Sequence, residues 1–184
     1  MVTIGSLLLP ILLAAVLVFI VSSVVWMVLP YHKSDYRALP DEEAVFAALG
    51  EGLPAGQYDF PHMTSMEDMK KPEIQERFRV GPVGYVTIAA GAPNMPKLLG
   101  LWFLYLLLVG FMVAYVSSRT LPAGTPYLDV FQITGTVAWL AYGFSSIGDG
   151  IWFSRPWSSV GKALFDALLY GMVTAGAFAW LWPV

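Results

Sequence analysis

Two aspartates stand in stretches that are otherwise almost wholly apolar: Asp149 in "SIGDGIW" and Asp166 in "KALFDALLYG". A carboxylate inside a bilayer is costly, so it usually faces a bundle interior or a water-filled cavity and pairs with a base. Arg155 and Lys162 flank the intervening "SRPWSS" turn. A helical hairpin closing there would bring all four residues to one level, and the expected role is an ion-pair cluster that fixes the hairpin. The alternative is a proton or cation pathway continued by Gln132 and Thr136, which are spaced to share a helix face. Such a path needs charges deeper in the membrane, and the sequence places none there.

A second group lies in "FPHMTSMEDMKKPE", where His62 is followed by Met63, Met66 and Met69. Three-residue spacing puts side chains on roughly one helix face. Thioethers with an imidazole suit a soft ion such as copper(I). Methionine is equally an adaptable packing residue. A helix face that packs is the expected role, with copper handling as the alternative. In "YHKSDYR", His32 with Asp35 is expected to be an interfacial anchor, with tyrosines at headgroup level and Lys33 and Arg37 snorkelling. A pH-sensitive or anionic-lipid-binding patch is the alternative.

Little else points to chemistry. There is no cysteine, so thiolate metal sites, disulfides and a cysteine nucleophile are excluded. No phosphate loop, nucleophile motif or HExxH pattern is present. The net charge is −3 and the basic residues form no stripe, which sets nucleic acid aside as a partner. No catalytic residue and no cofactor are expected, and the chain is not expected to be an enzyme.

The elements that carry these residues are easier to read. Of 184 residues 57% are hydrophobic and only 12% charged, which places the chain among membrane proteins. Residues 4–29 carry no charge and are long enough to cross a bilayer, which takes about 20 residues. The segment before them lacks Lys and Arg, so an uncleaved span rather than a signal peptide is expected. Further spans are expected over 98–118, 127–153 and 160–182. The third is the weakest, because it holds Gln132, Thr134, Thr136 and Asp149. The fold expected is an all-α membrane protein with four transmembrane helices. Its parts are the first helix (1–29), a small mixed α/β cytoplasmic insert (30–97) and a three-helix bundle (98–184). Lys33, Arg37, Lys97, Arg155 and Lys162 gather at the ends that face the insert, which predicts a cytoplasmic insert and both termini outside.

Within the insert, "LPDEEAVFAALGEG" predicts a helix, with Pro40 at its first position, acids in its first turn and Gly50 as its stop. "GQYDF" and "VGYVTIAA" predict short strands. Ser65 to Asp68 resembles a capping box, and Pro72 opens a further helical turn. Sixty-eight residues are marginal for an independent core, so this module is expected to lean on a partner or the bilayer. In the last span Ala163, Ala167, Gly171, Ala175 and Ala179 recur every four residues, a ridge that lets another helix approach closely, within the chain or from another copy.

The segments "LPYHKSDYRALPDEEAV", "GQYDFPHM", "MKKPEIQERFRVGPVGYVTI" and "LPAGTPYLDVFQITGTVAWLAYG" through "IWFSRPW" resemble a set of uncharacterised small bacterial four-helix membrane proteins. The resemblance implies a bacterial inner-membrane location and four helices; it supplies no activity and no catalytic residues. The expected role is that of a non-catalytic scaffold or accessory subunit. Its partners are the lipid bilayer and either another membrane protein or a second copy.

Overall fold

The computed structural model describes residues 2–49 and 53–184. These fall into two compact units, one formed by residues 2–36 with 94–184 and the other by 37–93.

The first unit is built on three helices long and apolar enough to cross a membrane. A short 3-10 turn, Ile4–Leu7, leads into α1 (Leu8–Met27). Helix α4 (Met95–Thr120) is capped by Asn94, whose side chain accepts from the Lys97 backbone N–H at 3.1 Å. The third is α7 (Trp157–Trp180). Leu7, Ile11, Ala14, Val18 and Val25 of the N-terminal segment meet Leu106, Val109 and Val113 of α4 and Tyr170 and Phe178 of α7 in two buried clusters. Leu8, Leu9, Leu12, Ile20, Leu104 and Leu108 point outward and are exposed. An apolar face of that extent, on helices apolar all round, fits hydrocarbon rather than water.

The span expected over 127–153 is interrupted. It forms α5 (Tyr127–Gly143) and α6 (Ser145–Trp152), separated at Phe144. Together they run antiparallel along α7, and the glycines show how closely. A Cβ on Gly135 would stand 3.0 Å from Ala175 Cβ, one on Gly143 2.6 Å from Ala167 Cβ, and one on Gly150 3.1 Å from Val160. Each step of seven or eight residues along α5–α6 is matched by an equal step back along α7. Gly171 lies in the same seam, with the Gly135 carbonyl 3.1 Å from where its Cβ would be. Of the ridge residues, Ala167, Gly171 and Ala175 therefore meet this chain's own α5. The same serial position leaves Ala179 in the cluster around Phe178, and Ala163 half-buried.

The second unit holds α2 (Glu42–Leu49), α3 (Pro72–Val80) and two strands, β1 (Gly56–Phe60) and β2 (Gly84–Ile88). The strands pair antiparallel, with Gly56 opposite Ile88 and Phe60 opposite Gly84. Asp41, not Pro40, stands at the start of α2, its carboxylate accepting from the Ala44 N–H at 2.9 Å. The stop expected at Gly50 lies outside the described residues. Pro72 opens α3 as expected, and Gly81 ends it at φ 76°, a conformation that glycine adopts without cost. Neither helix buries a residue.

The insert was expected to begin at residue 30, and here the structure differs. Residues 30–36 belong to the first unit. Pro30 cannot continue α1, and the 3-10 turn Pro30–Asp35 buries His32 while Lys33 and Ser34 stay exposed. Residues 94–97 likewise open α4 rather than close the insert.

Candidate functional site

The 3-10 turn after α1 and the first three turns of α7 form the one place where several charged side chains are buried together among the described residues. Asp166 is 3% exposed. At about 1.5 Å of rise per residue it lies ~14 Å along α7 from Trp157. Its Oδ2 faces His32 Nε2 at 2.8 Å, and its Oδ1 accepts the Tyr31 hydroxyl. The other imidazole nitrogen, His32 Nδ1, meets Asp35 Oδ2 at 2.7 Å. Asp35 Oδ1 accepts from Lys162 Nζ at 2.7 Å and from the Ser159 hydroxyl at 3.0 Å. Lys162 gives its remaining donors to the Tyr31 carbonyl at 2.6 Å and to Ser34 Oγ at 2.7 Å. Behind the imidazole, the Trp26 ring stacks at 4.0 Å between centroids and 5° between planes.

The inventory closes. Each imidazole nitrogen of His32 faces a carboxylate oxygen, and all three lysine donors are used. The Lys162 ammonium, followed by the His32 and Ser159 bonds, holds the Asp35 carboxyl down at about 2 against the opposing effect of burial. Burial, and then the bond to Asp166, pushes the Tyr31 hydroxyl well above its usual range, so it remains a donor. One turn further along α7 the Tyr170 hydroxyl is buried beside the Trp26 indole.

A pH dependence follows. A folded pKa of about 2 against an ordinary 3.8 means that Asp35 contributes stability that is fully present above pH ~4. That contribution is lost as the pH falls through about 2. In detergent, the wild-type protein is expected to melt above Asp35→Asn by a constant margin from pH 5 to 7. The margin should narrow below pH 4. A margin that does not change between pH 6 and pH 3 would mean that Asp35 is not held as the structure shows.

The four residues expected to form one cluster at the hairpin divide into two groups. Asp149 pairs with Arg155 at 3.5 Å, with both side chains more than a third exposed. Lys162 and Asp166 turn instead toward the segment after α1. Residues 162 and 166 share one face of α7, and that face meets Tyr31 and His32. Gln132 lies near the start of α5, beside a depression at the α4–α5 connection, the end of the bundle away from Asp166. It does not extend the cluster.

The methionine stretch is not a helix. It consists of turns and a 3-10 segment, Asp68–Lys70, so three-residue spacing creates no common face. The Asp68 carboxylate closes the turn by accepting from the Thr64 N–H and hydroxyl and from the Ser65 N–H, which is half of the expected capping box. Lys71 and these bonds hold that carboxyl below the usual range. His62 Nδ1 sits 2.6 Å from Asp59, and Met66 and Met69 are 78% and 46% exposed. Among the described residues no group of three or more His, Asp or Glu could hold a metal ion.

The sequence reading missed Tyr31, Trp26, Ser159 and Tyr170. For Tyr170 a signal was present: Lys162, Asp166, Tyr170 and Thr174 recur every four residues, a polar row beside the small-residue ridge. Comparison with protein families, curated proteins and solved structures finds no match for this chain.

Proposed function

We propose that this is a non-catalytic membrane subunit that presents its small extramembrane unit to a protein partner. The observation that carries this reading is the state of residues 37–93. A two-stranded sheet with two short helices is at best marginal alone. In this unit Phe46, Val80 and Val83 are 62%, 67% and 53% exposed. Such a unit gains its stability from what covers it. Either another membrane protein or a second copy of this chain fits that role.

Three further statements belong to the same proposal. The broken α5–α6 pair makes a fourth crossing, because it runs beside α7 over most of that helix's length. The protein resides in a bacterial inner membrane, as the resemblance implies. The insert is cytoplasmic and both termini are periplasmic, in line with the basic residues near the insert-facing helix ends. Transport through Asp149 and Asp166 is less well supported, since the Asp166 cluster is closed by mutual bonds and Asp149 is not part of it.

Purification of the tagged protein in a gentle detergent, followed by mass spectrometry, tests the function. A stoichiometric protein partner is expected with the wild-type chain and should be lost with Phe46→Asp combined with Val80→Asp. A chain that purifies as a lone monomer would overturn the reading, above all if proteoliposomes showed a proton or cation flux abolished by Asp166→Asn. Topology is tested with single cysteines at Ser65 and Ala123, both exposed. An impermeant thiol reagent should label Ala123→Cys in intact cells and leave Ser65→Cys untouched; the opposite pattern inverts the orientation.

A further inference from the structure

A groove of about 360 Å³ opens between the last turns of α1 and the first turns of α4. Ser22, Ser23, Trp26 and Met27 line one side, and Met95, Leu99 and Trp102 the other. Its size falls within the range of about 300–1,000 Å³ typical of small-molecule pockets. No charged residue lines it.

Both indole walls are pinned from behind. Trp26 stacks on His32, which the two carboxylates hold in turn. Trp102 donates its indole N–H to Ser22 Oγ at 3.0 Å and lies against the Tyr105 ring at 5.3 Å. The groove is thus preformed, which lowers the ordering cost of filling it.

Two further observations say what fills it. Helices that associate in membranes do so through small residues, and the small-residue ridge of this chain is already used between α5 and α7. Five of the seven groove residues are bulky, so the walls suit a thin, flexible chain better than a helix. Lys33 and Lys97 lie at this same end of α1 and α4, both exposed and neither in an ion pair among the described residues. They place positive charge where a lipid phosphate would sit.

We propose that this groove holds one acyl chain of an anionic phospholipid, with the phosphate at the level of Lys33 and Lys97. The proposal rests on the reading that α1 and α4 cross a bilayer. The binding site is fixed in shape by the same cluster that buries Asp166.

Delipidated protein in mild detergent, titrated with palmitoyl-oleoyl phosphatidylglycerol or phosphatidylcholine and read by native mass spectrometry, tests it. The wild-type chain is expected to retain one phosphatidylglycerol and to lose phosphatidylcholine under the same conditions. Ser23→Trp, which fills the groove, should raise the concentration for half-occupancy about tenfold or more. Met27→Trp serves the same purpose should Ser23→Trp fail to fold. Lys33→Gln with Lys97→Gln should remove the preference for phosphatidylglycerol. The proposal is overturned if the wild-type chain retains no lipid, if both tryptophan variants bind as it does, if the two lipids bind equally, or if a protein occupies the groove instead. Alkaline extraction of membranes separates the two readings. A chain released by carbonate removes the membrane assignment itself, whereas a chain that stays integral yet binds no lipid removes only this inference.

Discussion

Asp166→Ala is expected to lower the thermal stability of the detergent-solubilised protein more than any other single carboxylate substitution. The side chain is buried and takes bonds from His32 and Tyr31. Its removal leaves the His32 imidazole facing a hole and a phenol without an acceptor. Breaking one side of a buried pair typically costs about 3–5 kcal/mol. Asp149→Ala should cost no more than about 1 kcal/mol, the scale of exposed pairs, because its partner Arg155 is at 3.5 Å and both are solvated. Asp166→Asn should fall between, since an amide still accepts from Tyr31 but presents no negative charge to His32. Melting curves of the three variants decide the matter. Equal losses for Asp166→Ala and Asp149→Ala would show that the cluster does not hold the bundle. Unchanged stability with a vanished pH-driven flux would show that it is a pathway.

Gly171→Leu is expected to destabilise the isolated chain rather than dissociate an assembly. A Cβ there meets the Gly135 carbonyl at 3.1 Å and the Trp139 backbone nitrogen at 3.2 Å. Backbone cannot step aside as a side-chain tip can, so α5 and α7 must separate. Overpacking costs about 1–3 kcal/mol in ordinary cores, and a tight helix crossing lies at or above the upper end. Gly143→Val should behave alike, given the 2.6 Å approach of Ala167 Cβ. Gly161→Ala is the control: nothing lies within 4 Å of its new methyl, and the helix gains up to about 1 kcal/mol of propensity. Native mass spectrometry with thermal unfolding separates the outcomes. A monomer that melts like wild type while its complex falls apart would place the ridge between copies.

Three helices were legible because their signal is local. The apolar runs of α1, α4 and α7 need no knowledge of neighbours, and Pro72 acts within one turn of itself. The two short β-prone runs marked the strands, and the structure adds their antiparallel pairing. The break at Phe144 was not legible, because nothing in "LAYGFSS" forbids a continuous helix. A contact from elsewhere meets it there, the Tyr105 hydroxyl donating to the Ala141 carbonyl at 3.1 Å, while the Ser146 hydroxyl bonds locally to the Gly143 carbonyl at 2.6 Å. The site was half legible for the same reason. His32 with Asp35 is a pair three residues apart, and Lys162 with Asp166 is a pair four apart, so each half can be seen alone. That the halves join depends on which faces of α1 and α7 meet, which spacing does not encode. The methionines mislead in the opposite way, because a regular spacing implies a common face only on a helix, and Asp68 closes a turn there instead.

His32 and Asp166 are separated by 134 positions in the chain. Ribosomes add about 5–20 residues per second, so roughly 7–27 s pass between the synthesis of one and of the other. Throughout that interval the imidazole lacks its Asp166 partner, and the turn after α1 is an unfinished socket. Helix α7 then delivers Lys162 and Asp166 one turn apart, completing both halves in a single docking event. Helix α7 is therefore the element that completes the turn after α1. A chain truncated before Trp157 lacks both Lys162 and Asp166, and the turn after α1 keeps only its own internal bonds.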